Sequence, residues 1–111
     1  MSKAALPSLT HLQFLVLGVL RHEEQPGRVI RQALAAYGVK RSGPAFYQLM
    51  ARLEKDRLVD GWYEPVVVGD QSVTERRYRI TTAGTRRWNE ARAFYEQVVA
   101  RASTKLRWSD A

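Results

Sequence analysis

Cysteine is absent from all 111 residues, so neither a disulfide nor a thiolate metal site can form, and a reducing cytoplasm suits the chain. Histidine occurs only as His11 and His22. His22-Glu23-Glu24 lacks the second histidine of a zinc-protease helix, so a solvated loop is the simpler reading and no metal is expected. No glycine-rich phosphate loop appears, and the serines have no histidine partner in a catalytic setting. Neither an enzyme nor a cofactor is therefore expected. Long apolar runs are missing too. The longest near the N-terminus, Phe14 to Leu20, is far too short to span a bilayer. It ends in Arg21-His22-Glu23-Glu24 without a small-residue cleavage site, so no signal peptide is expected either. Repeats and low-complexity tracts are likewise absent.

Positive charge is what the chain has in excess: the net is +7, which points to a polyanionic partner. Its distribution is uneven. Residues 28–57 hold seven Lys or Arg against Glu54 and Asp56. Arg76, Arg77, Arg79, Arg86 and Arg87 follow within one short stretch that has no acid. Between these patches Asp60, Glu64, Asp70 and Glu75 are all negative. A membrane surface would also attract cations, but it would need a basic helix with an exposed apolar face. No helix here calls for that reading.

The chain is organised around Ser42 to Val59. Phe46, Leu49, Met50 and Leu53 recur at helical spacing and predict one buried face. Ser42 or Gly43 can cap this third helix, and Pro44 fits its first turn. The outer face carries Tyr47, Gln48, Ala51, Arg52 and Lys55, which, small Ala51 apart, can reach base edges or phosphates. Lys40 and Arg41 lie just before the helix, where an anion is favoured. The alternative is an ordinary amphipathic helix with a solvated face.

Two helices are predicted upstream, after a loose arm over residues 1–8. Thr10 and Gln13 have the spacing of a capping box for the first, whose Leu12, Leu15, Val16, Val19 and Leu20 make it apolar on more than one side. Such a helix belongs in a core or a dimer interface. Pro26 at a first helical position opens the second, with Val29, Ile30, Ala33, Leu34 and Tyr37 as its buried stripe and Arg28, Arg31 and Gln32 outside. Gly38 is its stop.

Downstream, Gly61 to Val68 is rich in β-formers, Gly69 to Ser72 is the turn, and Pro65 suits an edge strand. On the return strand Tyr78 and Ile80 face the core, Arg77 and Arg79 face water or a ligand, and Arg76 lies near the exposed tip. Thr81 or Thr82 caps a last helix. Its Trp88, Ala91, Tyr95, Val98 and Ala102 form a heptad-like seam, with fraying expected from Ser103 apart from apolar Leu106 and Trp108. Dimerisation, with Leu12 and Leu15 of the first helix as second surface, explains that seam. Packing back across the first helix is the alternative. Trp88 could also stack on a planar ligand. The expectation is an α+β fold: a winged helix-turn-helix domain over residues 9–81, of three helices plus a β-hairpin wing, and a long C-terminal dimerisation helix over residues 82–111.

Several stretches then resemble one family. Leu17-Gly18-Val19-Leu20 looks like a helix-one pattern of Leu, Gly and Leu, and Gly27-Arg28-Val29-Ile30 stands where the family has Gly-Tyr-Glu-Ile. Phe46-Tyr47, Met50, Arg52-Leu53-Glu54 and Leu58-Val59 are similar to Leu-Tyr-Pro-x-Leu-x-x-Leu-Glu-x-x-Gly-Leu-Val. Arg76 to Gly84 looks like the wing and the entry to helix four. The family is the PadR-like winged-helix transcriptional regulators, and the resemblance runs from about Leu15 to Phe94. It implies a homodimeric repressor on double-stranded DNA, often released by a small aromatic or lipophilic effector. Arg28 departs from the usual Tyr, Gln48 from Pro, and Arg57 from a Gly that permits a left-handed cap. Arg57 therefore either takes that turn under strain or the helix ends differently.

Together these readings predict a cytoplasmic regulator that binds a palindromic operator. Lys40, Arg41, Ser42, Tyr47, Gln48, Arg52 and Lys55, with wing residues Arg76, Arg77 and Arg79, are the expected DNA contacts. A winged helix used only for protein–protein contact is the alternative from another class, and both basic patches falling on elements that would face one duplex argue against it.

Overall fold

The computed structural model describes the backbone of residues 5–110 and the side chains of residues 5–102. The N-terminal half of the expected arm, residues 1–4, and the side chains of Leu106 and Trp108 lie outside the described residues. The capping box opens α1 (His11–Leu20): the Thr10 hydroxyl accepts from the Gln13 amide, and the Gln13 side chain accepts from the Thr10 amide. Val16, Leu17 and Leu20 of this helix are buried.

A two-residue strand, β1 (Gln25–Pro26), then precedes α2 (Gly27–Ala36). Pro26 is thus the N-cap of α2 and not its first residue, because its backbone is extended to pair with the later wing strand. Ile30 and Leu34 are buried as their spacing predicts, but Tyr37 is 71% exposed. The helix has already ended there. Gly38 turns left-handed at φ 79°, its N–H donating to the Ala35 carbonyl and that of Val39 to the Leu34 carbonyl at 3.0 Å. This Schellman turn swings Val39 onto the core in the place that helical spacing would have given Tyr37.

Ser42 is the N-cap of α3 (Gly43–Lys55), its hydroxyl accepting from the Ala45 amide at 3.2 Å. Phe46, Met50 and Leu53 are buried and Leu49 half-buried, while Tyr47, Gln48, Ala51, Arg52 and Lys55 are exposed. Both faces lie as expected. The helix ends in a second Schellman turn, with the Arg57 N–H on the Glu54 carbonyl and the Leu58 N–H on the Leu53 carbonyl, each at 2.9 Å. Arg57 occupies the left-handed position at φ 60°. Of the two possibilities at this residue, the strained turn is the one adopted.

The wing is the hairpin of β2 (Val59–Val68) and β3 (Gln71–Ile80), joined through Gly69-Asp70 with Gly69 at φ 63°. Its register runs from Val59 opposite Ile80 to Val68 opposite Gln71, so β2 begins two residues before the expected strand. Sheet order is β1-β3-β2, which leaves β2 at an edge where Pro65 is tolerated. Tyr78 is buried and Ile80 packs against the core.

Thr81 caps α4 (Thr82–Asp110), its hydroxyl accepting from the Gly84 amide at 2.9 Å. The helix continues past Ser103, where fraying is expected, and at about 1.5 Å per residue is over 40 Å long. Ala91 packs inside the molecule, and among the described residues no helix is long and apolar enough to cross a membrane.

A non-glycine residue in the left-handed region costs about 1–2 kcal/mol, partly offset by the greater unfolded-state freedom of glycine. Arg57→Gly is therefore expected to raise stability by about 0.5–1 kcal/mol, read as a higher urea midpoint with unchanged slope. A lower midpoint would mean that the Arg57 side chain contributes more than its backbone costs.

Candidate nucleic-acid interface

The outer face of α3 presents Tyr47, 56% exposed, with Gln48 and Arg52 one turn apart beside it. Tyr47 meets Phe46 edge-on at 5.8 Å, which ties the ring to a buried neighbour. Lys40 and Arg41 precede the helix, both exposed, with no ion-pair partner among the described residues. Arg31 joins them from α2. Its Nη2 donates to the Arg41 carbonyl at 3.1 Å, and its guanidinium lies 5.7 Å from the Phe46 ring centroid. Arg28, Arg31, Lys40 and Arg41 thus line a cleft of about 390 Å³ that also meets apolar Val39 and Phe46.

Arg28 and Arg31 were legible only as the outer side of the second helix. The Gly38 turn is what brings that side against the approach to α3. The one available signal was their spacing of three, which places both on one face.

The wing departs furthest from expectation. Arg76 turns inward: its Nη2 lies 2.5 Å from Glu54 Oε1, and its guanidinium sits 4.7 Å from the Tyr63 ring and 5.5 Å from that of Tyr78. Burial works against its charge, but a hydrogen bond with Tyr78 and the Glu54 carboxylate outweigh it and raise the pKa. Burial raises the Tyr78 pKa, against the opposing pull of Arg76. The physical reason for the inward turn is that α3 lies under this part of the wing and supplies a carboxylate there. Arg77 does not face open water either. Its side chain is 19% exposed, with Glu24, Glu64 and Glu75 carboxylates at 3.4, 3.3 and 3.2 Å. The reason is that Glu75 and its cross-strand partner Glu64 share the face of Arg77, and Glu24 reaches it from just before the paired strand β1. Arg79 remains exposed, 3.4 Å from Asp60 and 5.4 Å from the Trp62 ring centroid. From Leu58 to Glu75 there is no Lys or Arg, so the tip of the wing carries exposed Val67 and Val68 with Asp70.

The seam of α4 divides. Trp88 stacks on Phe14 of α1 at 5.5 Å and 11°, and Ala91 is fully buried within the protomer. Both are therefore committed to packing across α1, because α1 covers the first half of α4. Gly18 makes room, since a Cβ there would stand 3.1 Å from Trp88 Nε1. That Nε1 is buried without a hydrogen-bond partner. Beyond this point Tyr95, Val98 and Val99 are 37%, 48% and 64% exposed, and Ala102 is exposed as well. Leu12 and Leu15 of α1 are half-buried. A groove of about 670 Å³ runs between His11, Phe14, Tyr95 and Val99. Among the described residues no cluster of His, Cys, Asp or Glu could hold a metal ion.

Comparisons with protein-family models and with curated proteins give no match. Solved structures do. A PadR family transcriptional regulator from Eggerthella lenta is 28% identical, with a TM-score of 0.63 over 86% of this chain and 80% of that one. A PadR-like transcriptional regulator from Bacillus cereus is 23% identical, with a TM-score of 0.69 over 86% and 90%. Bacillus subtilis PadR in complex with operator DNA is 17% identical, with a TM-score of 0.58 over 73% of this chain and 46% of that one. The motifs of α3 and of the wing, the order of the elements and these likenesses agree: this chain has the winged-helix fold of the PadR-like transcriptional regulators that it resembles.

Proposed function

We propose that the protein is a homodimeric, DNA-binding transcriptional repressor of the cytoplasm that reads a palindromic operator with α3. The observation that carries this reading is the exposed face of Tyr47, Gln48, Arg52 and Lys55, flanked by the unpaired Lys40 and Arg41. Cations without internal partners, next to a helix N-terminus, favour phosphate. The operator complex of Bacillus subtilis PadR supports DNA as the partner. Gln48 suits adenine and Arg52 guanine in the major groove. Phosphate contacts fall to Lys40, Arg41, Ser42 and Arg31, with Arg79 the wing arginine left most exposed; Arg76 and Arg77 hold the wing together.

Two copies are needed because one winged helix contacts too few base pairs to find a single site in a genome. A two-fold axis with recognition helices about 34 Å apart would supply the second half-site. Tyr95, Val98, Val99 and Ala102 are the apolar positions of α4 that the protomer leaves uncovered. Leu12 and Leu15 on α1 extend that surface. The groove between Phe14 and Tyr95, next to Trp88, suits a small aromatic or lipophilic effector.

A gel shift on the promoter region of the chain's own gene, at two salt concentrations, is the first test. Absence of binding at low salt would favour the protein–protein reading. Gln48→Ala and Arg52→Ala should each cost about 1–3 kcal/mol on the cognate site and relax preference at one or two positions. Equal losses on random DNA would make them phosphate contacts. Lys40→Ala with Arg41→Ala should lower the salt slope by about 0.9 per phosphate released. Arg77→Ala should leave the slope unchanged and lower the melting temperature instead. Val98→Glu should give a monomer in sedimentation that retains only weak, salt-sensitive DNA binding. A wild-type monomer at micromolar concentration would overturn the dimer.

A further inference from the structure

Glu54 and Arg76 come from different elements and meet under the wing. Glu54 is one turn past Met50 on α3, on the side turned away from Gln48 and Arg52, and its side chain is 26% exposed. Arg76 is in β3, opposite Tyr63 of β2. The guanidinium is held on three sides: by the carboxylate, by the Tyr63 ring and by Tyr78, which is itself part of the core. A fourth constraint is the absence of a side chain. A Cβ on Gly61 would overlap both Glu54 Oε1 and the Arg76 guanidinium, so with any other residue there the ends of these two side chains would have to shift. The ion pair therefore crosses between the recognition helix and the wing through a gap left for it.

Such a contact has directional consequences that a surface pair lacks. Arg presents its donors in a rigid plane, and here the ring contacts hold that plane in place. Half-burial makes a missing partner costly, since the remaining charge must find water or another acid. Removing either group thus releases α3 from the base of the wing without touching the face of α3 that carries Gln48 and Arg52.

We propose that Glu54 and Arg76 are positioning residues for operator recognition: the pair, seated in the Gly61 gap, sets the angle of α3 to the wing and so controls specificity without contacting DNA. This rests on the DNA-binding reading above. Wild-type binding to the promoter duplex is accordingly the control. If wild-type protein does not bind it, the DNA reading fails. If wild type binds and the variants bind equally well, this inference alone fails.

The test uses opposite changes in charge. Glu54→Gln makes the protein more positive and Arg76→Met makes it less so; both roughly keep side-chain volume and remove the ion pair, leaving at most a neutral hydrogen bond in the first. Gly61→Ala adds no charge and forces the pair apart. Each full-length variant is titrated with the promoter duplex and with a random duplex of the same length, over a range of salt, and its melting curve is recorded. All three are expected to lose affinity for the promoter duplex by about tenfold. Random-duplex affinity should move only slightly, in the direction of each charge change, and the salt slope should stay that of wild type. Glu54→Gln is the decisive case, because long-range electrostatics alone would strengthen its binding. Besides unchanged binding of the variants, three results would overturn the proposal. One is tighter binding of Glu54→Gln to both duplexes. Another is a salt slope lowered by about one in Arg76→Met, which would make Arg76 a phosphate ligand. The third is a fall in melting temperature with the promoter-to-random ratio unchanged, which would make the pair structural only.

Discussion

Three elements meet at two consecutive carbonyl groups, those of Arg57 and Leu58. The left-handed turn at Arg57 ends α3 and aims both groups at the segment that leaves the wing. The Thr81 hydroxyl donates to the Arg57 carbonyl at 2.7 Å and the Thr81 N–H to the Leu58 carbonyl at 3.1 Å. Thr81 then caps α4, so one residue closes the hairpin and starts the last helix. Gly84 completes the junction, because a Cβ there would overlap the Leu58 carbonyl and the Ile80 side chain. α3, the wing and α4 take their directions from this point. A buried carbonyl left without a donor is costly, so the junction tolerates little variation.

Charge is sorted by the fold more than by the sequence. Two basic patches of similar density behave differently once acids are placed beside them. In the wing, Glu54, Glu24, Glu64, Glu75 and Asp60 neutralise Arg76, Arg77 and Arg79 in whole or in part. Around the start of α3, among the described residues, only Arg28 has an ion-pair partner, Glu75 at 2.9 Å. Positive charge is consequently concentrated where α2 delivers the chain to α3, and the wing tip is apolar and slightly acidic. The same amino acid, arginine, serves as scaffold in one place and as an available cation in the other.

Length divides the work of α4 in a similar way. Its first three turns are covered by α1, with Trp88 stacked on Phe14 and Ala91 enclosed. Beyond them, the apolar side chains of Tyr95, Val98 and Val99 are exposed. A single periodic stripe can thus be core at one end and free surface at the other, since periodicity records which way residues point but not what stands opposite.

Local physics made much of this protein readable in advance. Capping at Thr10 and Ser42, the stop at Gly38, the two faces of α3, the edge position of Pro65 and the inward Tyr78 all depend on residues within a few positions of one another. Backbone sterics and hydrogen-bond geometry act at that range, so the sequence determined them. Other features waited for the tertiary structure: the strand at Gln25–Pro26, the exposure of Tyr37, the left-handed Arg57, and the partners of Arg76 and Arg77. The strand and the arginine partners depend on groups brought together from far along the chain, as Glu54 is to Arg76 beside Gly61, whereas Tyr37 and Arg57 follow from local helix-ending turns whose outcome periodicity alone does not decide. An arginine in a sequence is a charge with no address; its pairing or availability is decided by which carboxylates the packed core leaves within its reach.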